Sequence, residues 1–213
     1  MPVPDHWIPT LWETPEPVAE PDSTDPAAAV RPVADGTPSV RLSWGRGTAL
    51  ALLVSQNGEN RMWRSAGGVV VATDGARIVA TAGLREWIAS TRIDGPDPLD
   101  EPLSLASQPV TLRRQVDLMR GNRAPSSMRF GVALNCRISA ARQGPALVVR
   151  ENCRGTGPLM TEPGWFGGVF GEESRSGFTN RYWADPATGG IYRSEQWVGE
   201  AGMMRLEVVT PPS

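Results

Sequence analysis

The sequence predicts an all-β protein: an antiparallel β-barrel-like or sandwich domain with one short helix and a Pro-rich N-terminal tail. Three observations lead there. From Val40 onward, short runs rich in Val, Leu, Ile and Trp recur between Asn-Gly, Asp-Gly and Gly-Pro pairs, the signature of strands and tight turns. Only Leu84-Arg85-Glu86-Trp87-Ile88-Ala89 places apolar residues at helical intervals. No repeat of roughly 20–50 residues is present, which disfavours propellers and solenoids.

The tail comes first. Residues 1–38 carry prolines at 2, 4, 9, 15, 17, 21, 26, 32 and 38 among Asp, Glu and Ala. Each proline removes a backbone donor and restricts the residue before it, so the segment reads as an extended linker or tether. Its apolar cluster, His6-Trp7-Ile8 with Leu11-Trp12, has the composition to dock on a partner or on the domain.

Residues 39–213 read as a single β domain. Residues 40–44 alternate, and 49–54 form a more buried run closed by Asn57-Gly58. A strand starts at 62–64. The clearest hairpin joins 69–73 to 76–80 through Asp74-Gly75, a dipeptide that favours a type I′ turn. After the expected helix at 84–89, Gly95-Pro96-Asp97-Pro98 opens a loop running to Pro102. Strands follow at 110–118, 130–138 and 146–150, then a Gly-rich loop or irregular strand pair at 164–177, then a closing meander at 178–183, 191–198 and 205–209. The expectation is roughly ten strands in a barrel or sandwich.

A hairpin turning at Gly144-Pro145 sets Cys136 directly opposite Cys153, the only two cysteines. A non-hydrogen-bonded antiparallel pair brings Cα atoms within disulfide range. That register predicts a disulfide and hence an oxidising compartment. The alternative is two buried free thiols, because a one-residue slip would put the side chains on opposite faces.

Composition narrows function mostly by exclusion. Of 213 residues, 40% are hydrophobic, enough for one sizeable core. The net charge is −2, all 21 basic residues are Arg, and no basic run exceeds Arg113-Arg114, so nucleic acid is not an expected partner. No stretch reaches the roughly 18–20 apolar residues of a membrane span, and Met1-Pro2-Val3-Pro4-Asp5 does not read as a signal peptide.

The one histidine, His6, lies in the tail, so a Ser-His-Asp or Cys-His arrangement in the domain is excluded. Two cysteines do not make a zinc site, and phosphate-loop and dinucleotide motifs are missing. Catalytic, cofactor-binding and metal-binding residues are therefore all expected to be none. The carboxylates Asp117, Glu162, Glu172, Glu173, Asp185 and Glu195 are available to a glycosidase, but no pattern pairs them. Asp185-Pro186-Ala187-Thr188-Gly189 reads locally as a well-formed turn. The aromatic and charged residues beside it, Arg181, Trp183, Asp185, Tyr192 and Trp197, are the candidate binding surface.

Several segments together resemble the YjbF/GfcB family of group 4 capsule polysaccharide lipoproteins. They are Pro38-Ser39-Val40-Arg41-Leu42, Ala51-Leu52-Leu53-Val54, Met62-Trp63-Arg64-Ser65 and the 70–81 hairpin. Closest is Tyr182-Trp183-Ala184-Asp185-Pro186-Ala187-Thr188-Gly189, followed by Arg193-Ser194-Glu195-Gln196 and Gly199. The resemblance covers about residues 38–210.

It implies a β-barrel-like, non-catalytic envelope lipoprotein accessory to exopolysaccharide or capsule assembly or export, acting by binding. The expected place is the periplasmic face of the outer membrane, with polysaccharide export components or the glycan as partners. The lipid-bearing cysteine that follows the family's signal peptide is not among residues 1–38, so the expectation is that leader and anchor precede this sequence. Exposed Trp and Arg suit sugar stacking and anionic sugars. Two other readings stay open: a carrier of lipid or lipoprotein resembling the LolA/LolB half-barrels, which needs a large apolar cavity, and a glycan-modifying enzyme, which needs paired carboxylates.

Overall fold

Inward-facing Val, Leu and Ile alternate with outward Arg, Ser and Asn along almost every strand, and that period of two bends the chain around a single interior. The computed structural model describes residues 36–120, 128–155 and 177–212, all within one unit, Val33–Ser213. The expected segments at 1–35 and 156–176, with Glu162, Glu172 and Glu173, lie outside the described residues.

Twelve strands form one antiparallel sheet: β1 Ser39–Trp44, β2 Gly47–Asn57, β3 Asn60–Ser65, β4 Val70–Asp74, β5 Arg77–Ala82, β6 Glu86–Ile93, β7 Val110–Arg120, β8 Arg129–Gln143, β9 Ala146–Gly155, β10 Gly177–Ala184, β11 Ile191–Trp197 and β12 Met203–Thr210. Apart from β5 and β6, consecutive strands pair with each other, and β12 pairs back with β1. This is an up-and-down, nearly closed barrel whose one gap in the ladder falls between the consecutive strands β5 and β6. The Ile88 N–H donates to Thr81 Oγ1 across that seam at 3.1 Å. The core gathers Val40, Leu42, Val71, Ile78, Ile88, Val116, Leu118, Leu134, Ile138, Val149 and Met204, and burying each large aliphatic side chain contributes about 1.5–3 kcal/mol.

Two expectations are corrected. Residues 84–89 are not a helix: β6 starts at Glu86, and beyond three-residue 3-10 turns no helix occurs among the described residues. Pairing with β7 puts Glu86 and Ile88 on one buried face, and this tertiary ladder overrides the local helical spacing. The hairpin turn centres on Gly75-Ala76 rather than Asp74-Gly75, with Asp74 opposite Arg77. The shift makes Arg77 the first residue of β5 and sets it opposite Asp74. The β8–β9 hairpin keeps its expected register: Cys136 faces Cys153 and the two are disulfide-bonded.

At one end of the seam, Gly83 has φ +79, and a Cβ there would stand 2.6 Å from the Gly68 carbonyl oxygen. Gly83→Ala is expected to lower stability by about 2 kcal/mol, from left-handed strain and a backbone clash together. Denaturant unfolding of the variant checks this; an unchanged midpoint would mean that β4 and β5 are not held this closely at their ends.

Candidate functional site

The barrel interior is charged at its centre. Glu151 on β9 lies two residues before Cys153 and so shares its inward face. Opposite it, Arg77 Nη1 donates to Glu151 Oε1 at 2.8 Å, while Arg77 Nε and Nη2 hold Asp97 at 2.5 and 3.0 Å. Asn180, the cross-strand neighbour of Glu151, donates from Nδ2 to its Oε2 at 2.7 Å. The Tyr182 hydroxyl lies 3.1 Å from the same oxygen and 3.2 Å from Gln196 Oε1.

Gln196 completes the edge of β5 from inside. Its Oε1 accepts from the Ile78 N–H at 2.9 Å, and its Nε2 donates to the Ala76 carbonyl at 2.9 Å. A side-chain amide thus takes the place of a neighbouring strand for two backbone groups at the start of this edge, which are then not open to another chain.

Arg114 on β7 is the second buried cation. Its Nη1 lies 3.9 Å from Glu151 Oε2, and among the described residues its Nε and Nη1 have no hydrogen-bond partner. Burial alone would push Glu151 up, but the Arg77 and Arg114 guanidiniums and the Asn180 amide hold its carboxyl below the ordinary range. Burial lowers Arg114, partly opposed by Glu151, yet a guanidinium stays cationic. Burial, followed by the Glu151 charge, raises the Tyr182 hydroxyl far above its usual value. Two arginines and two acids therefore balance inside the barrel.

A smaller set closes the opposite end. Buried Glu86 accepts from Arg129 Nη2 at 2.9 Å and from the Glu200 N–H at 2.8 Å, and Arg120 bridges Glu86 and Glu200.

The end carrying the β4–β5 and β10–β11 turns opens into a cleft of about 870 Å³. Arg61, Trp63, Tyr192, Leu206 and Val208 line it, with Glu59 and Asp100 at the rim. Trp63 is buried and donates to Thr73 Oγ1 at 3.3 Å, so it forms floor rather than platform. Tyr192 is 44% exposed. Partial burial, then the charges of Asp97, Asp74 and Glu59, raise Asp100.

The five candidate surface residues do not converge. Tyr192 reaches the cleft. Trp183 stacks beneath the Arg193 guanidinium, 4.5 Å from the ring centroid. Arg181 pairs with Glu195 at 3.5 Å on the outer wall. Asp185 Oδ1 accepts from the Ala187 and Thr188 N–H groups, each at 2.8 Å, which makes it the organiser of its own turn. Trp197 is buried and stacks on Phe178 at 4.7 Å.

The interior network was not singled out from sequence, although one signal for it was present. The register that paired the cysteines also placed Glu151 on their buried face, and a buried carboxylate demands a cation. Among the described residues, Cys136, Glu151 and Cys153 bring three possible metal-ligand atoms within 4.8 Å. The two sulfurs are bonded to each other and the carboxylate to Arg77, so this donor set does not fit a metal.

The fold and these sites define a class: a disulfide-bridged up-and-down β-barrel with ion pairs in its interior. The sequence profile described as group 4 capsule polysaccharide lipoprotein gfcB, YjbF matches residues 19–209, and the chain belongs to that family. Among solved structures it is similar to the hypothetical lipoprotein YmcC from Escherichia coli (K12), with TM-score 0.61 and 17% sequence identity over 83% of this chain and 85% of that one. At that identity the likeness is one of fold. No curated protein matches the sequence.

Proposed function

We propose that this protein is a non-catalytic, lipid-anchored accessory of exopolysaccharide or capsule assembly, held at the periplasmic face of the outer membrane and acting by binding. Family membership supports the polysaccharide context. The observation that supports binding over catalysis is the state of the buried carboxylates. Among the described residues these are Glu86 and Glu151, and each is held by arginine. A glycosidase needs one carboxyl group kept protonated as an acid, beside a second free to attack or to activate water. Glu151 is held ionised and sealed from solvent.

The same network argues against a lipid carrier. Where an acyl chain would lie, the barrel holds two guanidiniums and a carboxylate. Desolvating that set against hydrocarbon is costly.

The test is affinity isolation of the full-length, signal-bearing protein from its own envelope, with the purified protein assayed for release of reducing ends from the isolated glycan. The expected result is an acylated protein that brings down export components or glycan and releases none. A soluble, unacylated protein without partners would overturn the reading. Glycan cleavage abolished by Asp100→Asn would replace it with an enzyme working at the barrel mouth.

A further inference from the structure

We propose that the outer wall of β7, β8 and β9 carries a groove for an acidic polysaccharide, with Arg113, Arg137 and Arg154 taking its acid groups. This rests on the binding role argued above and gives it a ligand class and a place. Strand alternation turns these three arginines outward, where with Asn135, Asn152 and Asp94 they line a concavity of about 690 Å³. Asn135 stands opposite Arg113 on one side and Arg154 on the other, and Arg137 stands opposite Asn152. Neighbouring strands lie about 4.8 Å apart, so the guanidiniums form a staggered array across three strands.

Three features set this recess apart. None of its three arginines has an ion-pair partner among the described residues, a state shared by Arg64 and Arg150 but not by Arg41 and Arg205, which pair with Glu207 and Glu195 on the outer wall; what this recess adds is three such cations gathered in one concavity. Three cations face one acid, Asp94, on a chain whose net charge is −2, which selects for an anion. A guanidinium fork matches a carboxylate in two parallel hydrogen bonds. Asn135 and Asn152 carry side-chain amides that both donate and accept, as sugar hydroxyls require, and Thr179 Oγ1 fixes one of them by donating to Asn152 Oδ1 at 2.8 Å. The recess is concave and no exposed large apolar side chain lines it. It therefore suits a glycan chain and not a flat lipid surface.

The experiment titrates the whole protein with an oligogalacturonate and an oligosialate, against a maltooligosaccharide of equal length, a DNA duplex, and phosphatidylglycerol vesicles. The expected result is saturable binding of at least one acidic glycan that weakens with added salt, with weaker binding of the other three. Arg113→Gln/Arg137→Gln/Arg154→Gln alters only exposed side chains and should reduce that affinity at least about tenfold, while Arg46→Gln leaves it unchanged.

Binding of neither acidic glycan, equal or tighter binding of DNA or vesicles, or an unaffected triple variant would each overturn the proposal. If the triple variant still isolates export components from the envelope, the accessory role stands and only this ligand assignment falls.

Discussion

Glu151→Gln is expected to lower the unfolding free energy by about 3–5 kcal/mol, the range for removing one partner of a buried ion pair. The cost arises from what remains. Arg77 and Arg114 are almost fully buried, and without Glu151 Arg77 keeps Asp97 while Arg114 has no acid paired with it among the described residues. Asn180 and Tyr182 also lose a charged acceptor. Replacing both ends of the pair, as Arg77→Met with Glu151→Leu, leaves Arg114 and Asp97 to balance and should cost less than Glu151→Gln alone. Denaturant unfolding of the three proteins checks the order. A Glu151→Gln protein as stable as wild type would mean that the guanidiniums are solvated and the interior is not sealed.

The same substitution has a pH signature. The folded carboxyl titrates below its ordinary value of 4.5. Its contribution is therefore complete above that pH and is lost as pH falls through the folded value. The stability gap between wild type and Glu151→Gln should be constant near neutrality and should shrink under acid conditions. A gap that widened on acidification would contradict the ion pair.

The second large effect belongs to the disulfide. Cys136 and Cys153 are 17 residues apart, and opening a loop of that length is expected to cost about 3 kcal/mol by restoring freedom to the unfolded chain. For a domain of this size that corresponds to a fall in Tm of about 6–12 °C. Cys136→Ala/Cys153→Ala measured by thermal unfolding checks the magnitude, and thiol titration of the denatured, unreduced exported protein should find no free thiol. Two free thiols there would remove the bond and, with it, the argument for an oxidising compartment.

Much of this architecture is local and was legible in the residues. Alternation along 130–138 and 146–150, with Gly144-Pro145 between them, determined both the β8–β9 register and the cysteine pairing, because a hairpin's partners lie within a few residues of its turn. The ordered segments from Pro38 to Gly199 determined the family. The Asp185 turn is likewise self-contained, its carboxylate bonding amides two and three residues on.

Only the tertiary structure decided the rest, since a ladder or a buried charge chooses its partner by position in space. The 84–89 stretch became strand because β7 lay ready to pair with it. Arg77 and Glu151 meet across 74 residues, and Gln196 reaches Ala76 across 120. Arg113, Arg137 and Arg154 read as scattered strand arginines until the β7–β8–β9 register aligned them. The sequence by itself thus determined most of the strands and turns, the register that sets the two cysteines face to face, and the family. The curl of the sheet into a barrel decided which charges were buried together and which were left facing outward, because burial removes the solvent that would otherwise let each charge stand alone.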